Sequence, residues 1–254
     1  MNQRTPVASH NLLATNGMVD LSTAALLPDA DVRYWCTPRT YVAYEPDATC
    51  PRWLAFLDRT FDGDADRIEE LRKAVGYSLT ASNKLQCMFV CHGEGHGKST
   101  FMAVLTYLIG EYATQLFKAF WQPGGEFEPP EHAWTEIQGR RWAWIELSQK
   151  KPKRRINASW VKKLTGGDLI QGRHLYSSER FDVEPGCTFW ITTRDGPKTY
   201  GLDAGLDRRL RRFPFEQSLS RSEMDPDLRR ALVEEEGEGI FAWAVSAARD
   251  WIAS

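Results

Sequence analysis

The chain has 254 residues, of which 42% are hydrophobic and 26% are charged. This is an ordinary globular composition, and the length suits one or two domains with a hydrophobic core, so a disordered, collagen-like or low-complexity chain is excluded. Lysine and arginine number 32 against 34 acidic residues, which gives a net charge of −2. That balance argues against a protein held to nucleic acid by bulk charge, although it allows a local basic patch.

The sequence carries no signal for export or membrane insertion. No run approaches the ~18 apolar residues of a membrane helix. The start, MNQRTPVASHNLL, has one arginine and lacks the apolar stretch of a signal peptide. Five scattered cysteines, an odd number, do not form a disulfide framework. We therefore expect a cytoplasmic protein without a membrane partner, acting in the host cytoplasm if a phage encodes it.

The first ~80 residues are expected to form a small, mostly helical N-terminal domain (1–80), which opens with loops and short strands. A first helix is predicted in TCPRWLAFLDRTF (49–61), with Thr49 as its cap and Pro51 in its first turn. A second is predicted from Asp64 to a stop at Gly76. The residues expected to face inward are Trp53, Leu54, Leu57, Phe61, Ile68, Leu71 and Val75, with Phe56 at the edge of the first face.

The middle of the chain alternates between strand and helix patterns. Strands are predicted at LQCMFVC (85–91), WAWIEL (142–147) and CTFWITT (187–193), and helices at 99–112 and at 157–165, the latter capped by Asn157. This alternation predicts an α/β fold with a parallel sheet, here a core over residues 81–216. Two helices are expected after Ser222, in a C-terminal segment spanning 217–254, with the acidic run 234–238 as a helix end and turn.

The most informative segment is CHGEGHGKST (91–100), between a predicted strand and a predicted helix. Glycines at 93, 95 and 97 let the backbone fold around an anion, so that backbone N–H groups and the helix N-terminus point at phosphate. Lys98 would reach the β- and γ-phosphates and Ser99 would bind Mg²⁺. His92 stands where the usual pattern has a glycine, so either His92 replaces that glycine or the loop is one residue shorter. The alternative to a phosphate-binding loop is a glycine-rich turn that binds nothing. Zinc binding is rejected, because Cys87 and Cys91 on one strand lie ~13 Å apart.

A phosphate loop needs an acidic partner at the end of a neighbouring strand, and Glu146 in RRWAWIEL is the best candidate. The alternative is a strand-end glutamate that merely faces solvent. A basic block without acids follows between residues 147 and 167, and it fits either contact with a phosphate backbone or a solvated loop. Its members are Lys150, Lys151, Lys153, Arg154, Arg155, Lys162 and Lys163.

Taken in order, these motifs resemble the phage and plasmid primase–helicase family that includes the poxvirus primase–helicase, a set of superfamily 3 helicases on an AAA+ fold. The similar segments span nearly the whole chain. They are NLLATNGMVDL (11–21), YEPDATCPRWLAFLDRTFDGD (44–64), GEGHGKST (93–100), GRRWAWIELS (139–148), VKKLTGGDLIQGRHLY (161–176), TTRDGP (192–197) and LDRRLRRFPF (206–215).

The resemblance implies a role for particular residues. ATP-binding residues would be Gly93, Gly95, Gly97, Lys98, Ser99, Thr100 and Arg194, with Mg²⁺ held by Ser99 and Glu146. Lys98, Glu146, Arg208 and Arg209 would be catalytic, one of the two arginines reaching a neighbouring subunit's ATP. Residues 165–176 would lead into a hairpin lining a central pore, with DNA contacts from Lys162, Lys163, Arg173 and His174.

The leading hypothesis is therefore an ATP-dependent DNA helicase module of phage or plasmid replication, a homo-oligomeric ring, expected to be a hexamer, on single-stranded or forked DNA. A separate primase or another replication protein is the expected partner, since primer synthesis is not credited to this chain. The alternative is a hydrolysis-deficient assembly or loading module, because His92 and Arg194 depart from the family's glycine and asparagine. A P-loop ATPase or kinase of another class is disfavoured, since no arginine-rich lid follows the core.

Overall fold

A computed structural model describes residues 10–27, 38–116, 131–147, 158–183, 185–194, 204–218 and 225–254. The predicted basic residues 150–155 and the Asn157 cap lie outside these ranges. Among the described residues, no helix combines the length and apolar character needed to cross a bilayer.

A parallel five-stranded sheet forms the centre of the fold. Its strands are β4 (Met88–His92), β5 (Ala113–Gln115), β6 (Trp142–Leu147), β9 (Thr188–Thr193) and β10 (Leu210–Pro214). They lie side by side in the order β10-β4-β9-β6-β5. The middle strand β9 is buried at every position, as expected for a parallel strand covered on both faces. The predicted α/β class, with a P-loop core and helices at both ends, is confirmed.

The helices flanking the sheet follow the predicted pattern, with shifted boundaries. They are α3 (Lys98–Ile109), α4 (Ala158–Gly166) and the short α5 (Ala204–Asp207), with 3-10 turns at Gly110–Tyr112 and Glu131–Ile137. The predicted helix over 99–112 therefore ends earlier, because Gly110 adopts a positive φ of 64°. A separate antiparallel hairpin joins β7 (Ile170–Arg173) to β8 (Arg180–Val183).

The N-terminal part combines an antiparallel sheet, made of β1 (Asn11–Ala14), β2 (Gly17–Asp20) and β3 (Ala25–Leu27), with helices α1 (Pro51–Thr60) and α2 (Ala65–Leu79). Cys50, not Thr49, is the cap residue of α1, and Leu54 is 47% exposed rather than inward. Gly76 does not end α2, which continues to Leu79. A Cβ on Gly76 would lie 2.3 Å from the backbone carbon of Ala247, so this glycine permits a close helix crossing.

Within the described residues 225–254, the C-terminal segment forms one 26-residue helix, α6 (Leu228–Ala253), where two helices were expected. The acidic run lies inside it. Glu236 is buried and accepts hydrogen bonds from the backbone N–H groups of Arg52 and Trp53, each at 2.9 Å, so it caps α1. A single hydrophobic cluster joins Trp53, Phe101 and Trp190 with apolar residues of α2 and α6. The three predicted domain ranges remain a prediction.

Candidate functional site

A deep cleft opens at the carboxyl edge of the parallel sheet, where β4, β6 and β9 end side by side. Glu146 on β6 and Cys91 on β4 are both in register with Thr192 on β9. The cleft has a volume of about 1380 Å³. Carboxyl edges of parallel strands are where α/β proteins bind ligands, because loops and helix N-termini converge there. The residues that line it are Phe56, Arg59, Thr60, Gly93–Thr100, Glu146, Leu147, Thr192–Arg194, Gln217, Asp225, Pro226 and Leu228.

The glycine-rich loop, residues 92–98, forms one wall of this cleft. Gly93 and Gly97 have φ angles of +119° and +104°, which only glycine adopts readily. A Cβ on Gly95 would lie 2.5 Å from the carbonyl oxygen of Phe215, so a side chain is excluded there by the backbone that follows β10. The N–H groups of Gly95 (2.9 Å) and His96 (3.0 Å) donate to the carbonyl oxygens of Phe215 and Gln217 in that segment.

Lys98 lies at the centre of the loop. Its Nζ donates to the carbonyl oxygens of Gly93 (2.5 Å) and Gly95 (2.7 Å), so the loop curls around the ammonium group. Burial lowers the Lys98 pKa from its ordinary value, and the positive charge of Arg194 lowers it further. Two cations that destabilise one another in a cleft create a favourable place for a polyanion.

His92, which replaces the family's glycine, ends β4 in register with Pro214, and its carbonyl oxygen accepts from the N–H of Phe215 at 2.6 Å. The extended strand backbone at His92 does not require a glycine, and the residue that adopts a positive φ is Gly93. The departure at position 92 therefore leaves the loop intact. Cys87 and Cys91 are buried in the core.

Ser99 and Glu146 face the same cleft, Ser99 from the first turn of α3 and Glu146 from the end of β6. Within the described ranges, no cluster of three or more His, Cys, Asp or Glu side chains could hold a metal ion. A hydroxyl and a carboxylate nevertheless fit Mg²⁺, which keeps several waters and takes phosphate oxygens as its remaining ligands. The donor set thus suits a metal delivered with a nucleotide.

Part of the cleft lining is apolar, and sequence reasoning missed it. Phe56, Arg59 and Thr60 reach it from α1, while Pro226 and Leu228 reach it from the start of α6. The Phe56 ring lies 3.3 Å from where a Gly97 Cβ would stand, so α1 packs directly on the glycine-rich loop. The only signal in the sequence was the position of Phe56 at the edge of the apolar face of α1.

Arg194 follows β9 and lies beside the glycine-rich loop. Its carbonyl oxygen accepts from the Gly93 N–H at 2.9 Å. Its guanidinium donates to Oε1 of Glu94 from Nε (3.0 Å) and from Nη2 (2.8 Å). The structure therefore brings Arg194 together with the predicted loop residues and adds Glu94, which the sequence did not single out.

The two candidate finger arginines lie at the other edge of the sheet. The N–H of Met88, which begins β4, donates to the carbonyl oxygen of Arg209, whereas the glycine-rich loop follows the end of that strand. Five strand residues separate these edges by about 16 Å. Arg209 is half-buried and donates to the Gly205 carbonyl oxygen at 2.8 Å, while Arg208 is exposed. Neither residue lines the cleft among the described residues.

The predicted DNA contacts lie on two neighbouring elements. Lys162 and Lys163 are half-buried on α4, which leads through residues 167–169 into the β7–β8 hairpin. Arg173 and its cross-strand partner Arg180 both pair with Glu131, at 3.1 and 2.9 Å, and His174 packs on Phe181. The hairpin tip projects Leu175, which is 59% exposed, and Tyr176, which is fully exposed.

Fold and loop together define a P-loop α/β protein, and comparisons with known proteins narrow this class. Residues 2–62 match the family model described as D5 N terminal like. A putative helicase of Acanthamoeba polyphaga mimivirus, L207/L206, is 26% identical over 206 residues, which cover 79% of this chain and 21% of that protein. The chain thus spans about a fifth of the length of this curated relative.

Solved structures agree with this relationship at the level of the fold. Two apo structures of the NrS-1 C terminal region superpose with a TM-score of 0.60 at 12% identity. They cover 81% and 82% of this chain, which in turn spans 46% and 50% of theirs. The chain is therefore similar to proteins of the primase–helicase family, as the order of its motifs predicted.

Proposed function

We propose that this chain is the ATP-hydrolysing module of a DNA helicase, with ATP bound in the cleft at the carboxyl edge of the sheet. One observation carries the proposal. The glycine-rich loop, curled around Lys98, lines the same cleft as Glu146, and apolar side chains from α1 and from the start of α6 line it as well. A nucleotide combines matching parts, with a charged phosphate chain at one end and a flat, largely apolar base at the other.

Different residues of the cleft bind different parts of the nucleotide in this proposal. Lys98 exchanges its two loop carbonyl partners for β- and γ-phosphate oxygens, and the unpaired N–H groups of the first turn of α3 face the same phosphates. Mg²⁺, held by Ser99 and Glu146, supplies charge neutralisation when bound. Glu146 also orients the attacking water, and Phe56 and Leu228 enclose the base.

Hydrolysis depends on a second subunit in this proposal. Because Arg208 lies about 16 Å from the cleft of its own subunit, at the opposite edge of the sheet, it can serve only a neighbouring cleft. Arg208 is preferred to Arg209, whose guanidinium is engaged by the Gly205 carbonyl. A ring that closes head to tail, as a hexamer does, supplies one such arginine to every site.

Single-stranded DNA is the proposed track, and the β7–β8 hairpin is the proposed contact. Lys162 and Lys163 supply positive charge near its base, and His174 and Tyr176 offer rings on which bases stack. Glu131 pairs with Arg173 and so reduces the charge that this residue contributes. Tyr176 therefore joins the predicted contacts as the most exposed aromatic group of the hairpin.

A hydrolysis-deficient assembly or loading module is the second candidate. The observation that favours it is Arg194, whose guanidinium is paired with Glu94 at the position where the family's asparagine would stand. Such a module binds ATP and DNA tightly without turnover.

ATP hydrolysis with and without single-stranded DNA separates the two candidates. We expect the parent chain to hydrolyse ATP, DNA to accelerate it, and Lys98→Ala to abolish it. Lys84→Ala is the matched control, because Lys84 is exposed and lies outside the cleft. Tight binding without turnover at ring-forming concentrations would favour the assembly module, and absence of ATP binding would refute both.

Mixing two inactive variants tests the shared site. Arg208→Ala and Lys98→Ala each remove one half of a composite site, so a mixed ring regains some sites with both halves intact. We expect activity to reappear on mixing. If Arg208→Ala alone retains parental activity, the neighbouring arginine is not the one proposed.

A further inference from the structure

We infer that Glu94 and Arg194 form an ion pair that the terminal phosphate of a nucleoside triphosphate breaks, so that this pair sets the preference of the site for triphosphate over diphosphate. The inference rests on the proposed nucleotide site and adds to it a selectivity device. Glu94 is the counterion of Arg194 before binding, and Arg194 is the group that recognises the additional phosphate.

The position of Arg194 is fixed by backbone geometry. β9 lies between β4 and β6, so the residue that follows it lies between the glycine-rich loop and Glu146. The hydrogen bond from the Gly93 N–H to the Arg194 carbonyl oxygen attaches this backbone to the loop at 2.9 Å. The guanidinium pairs with Glu94, which belongs to that loop, and there we place the last phosphate of a chain held by Lys98.

The ion pair between Glu94 and Arg194 is weak enough for a bound phosphate to break it. Both donors of Arg194, Nε and Nη2, share the single oxygen Oε1 of Glu94. The two side chains are 61% and 68% exposed, so water screens their attraction and the pair adds little to folding stability. A terminal phosphate carries about two negative charges and several acceptor oxygens, whereas the carboxylate carries one charge, so the phosphate is the stronger partner for a guanidinium.

Charge in the rest of the cleft supports this exchange. Lys98 and Arg194 line the same cleft, and besides burial the positive charge of Arg194 lowers the pKa of Lys98. A diphosphate satisfies Lys98 and leaves Arg194 with Glu94. A triphosphate extends far enough to recruit Arg194 and releases Glu94, which then has no cation to neutralise it and is repelled by the phosphates. The family's asparagine is neutral and could not hold such a counterion.

Binding measurements on the intact chain test the inference without turnover. The probes are Mg²⁺ with ADP and Mg²⁺ with a non-hydrolysable ATP analogue, measured by calorimetry. We expect Arg194→Ala to weaken binding of the analogue about 10- to 100-fold and binding of ADP less than about threefold, as loss of one charge-assisted hydrogen-bonded contact implies. We expect Glu94→Gln to tighten binding of the analogue about three- to tenfold, and to lose that effect when Arg194→Ala is also present.

Asp225→Asn is the matched control, because Asp225 is another exposed carboxylate lining the same cleft. If Glu94→Gln tightens binding no more than Asp225→Asn does, or acts equally on both nucleotides, the effect is general charge removal and the inference is overturned. Equal losses of both nucleotides in Arg194→Ala would overturn it as well, while leaving the proposed nucleotide site in place. A parent chain that binds neither nucleotide would overturn the proposed function itself.

Discussion

Replacing Gly95 by alanine tests whether the glycine-rich loop must pack against the segment after β10. The added Cβ would lie 2.5 Å from the Phe215 carbonyl oxygen and 2.6 Å from that of Gln217, closer than real contacts allow. The loop must therefore move away, and it loses the hydrogen bonds donated by the N–H groups of Gly95 and His96. At about 1 kcal/mol for each bond, with about 1–2 kcal/mol of residual strain, the free energy of unfolding should fall by about 3–4 kcal/mol.

The same displacement should weaken nucleotide binding at least about tenfold, because the loop carbonyls that position Lys98 move with it. Urea denaturation and calorimetric titration measure the two effects. Gly186→Ala is the matched control, since a Cβ there meets nothing nearer than 3.8 Å. If Gly95→Ala behaves like this control in both assays, the packing of the loop against residues 215–217 is not what shapes the site.

Three further predictions concern the rest of the molecule. Gly76→Ala should lower the free energy of unfolding, measured in urea, by more than about 3 kcal/mol, because the new Cβ meets the backbone of Ala247. This loss outweighs the gain of about 1 kcal/mol in helix propensity. An unchanged free energy of unfolding would contradict the close helix crossing at this glycine. Glu236→Ala should cost about 2 kcal/mol in the same assay by leaving two N–H groups of α1 without their cap, and an unchanged midpoint would exclude that role. Burial lowers the pKa of the His92 side chain, so as the pH falls the unfolded chain takes up a proton at this residue before the folded chain does. The free energy of unfolding should therefore fall as the pH drops below about 6.5, and it should fall less steeply in His92→Gln. Identical pH profiles for the two proteins would contradict this prediction.

Much of the sheet could be predicted because its signals are local. Each of the strands WAWIEL and CTFWITT is a short apolar run between turn residues, and the glycines before Lys98 announce a tight loop. Since parallel strands align their carboxyl ends, the approach of Glu146, Arg194 and the glycine-rich loop follows from the order of strands alone. This explains why the cleft contains the predicted residues from three separate segments.

The misses share a different physical origin, because they depend on partners distant in sequence. Gly76 looked like a helix stop, since nothing nearby announces that Ala247 crosses it closely. Glu236 looked like part of a solvated turn, since its partners lie on α1. The contribution of Phe56 to the cleft was invisible for the same reason: an aromatic residue at the edge of an apolar face does not reveal which loop it meets.

The location of a bound nucleotide tests the central claim most directly. Photolabelling with 8-azido-ATP attaches the reagent to residues near the base, and peptide mass spectrometry then locates the label. We expect it within residues 51–60 of α1, at Gln217 or within residues 225–228, with competition by ATP and loss in Lys98→Ala. An ATP-competed label elsewhere in the chain, or one that persists in Lys98→Ala, would contradict the assignment of the cleft.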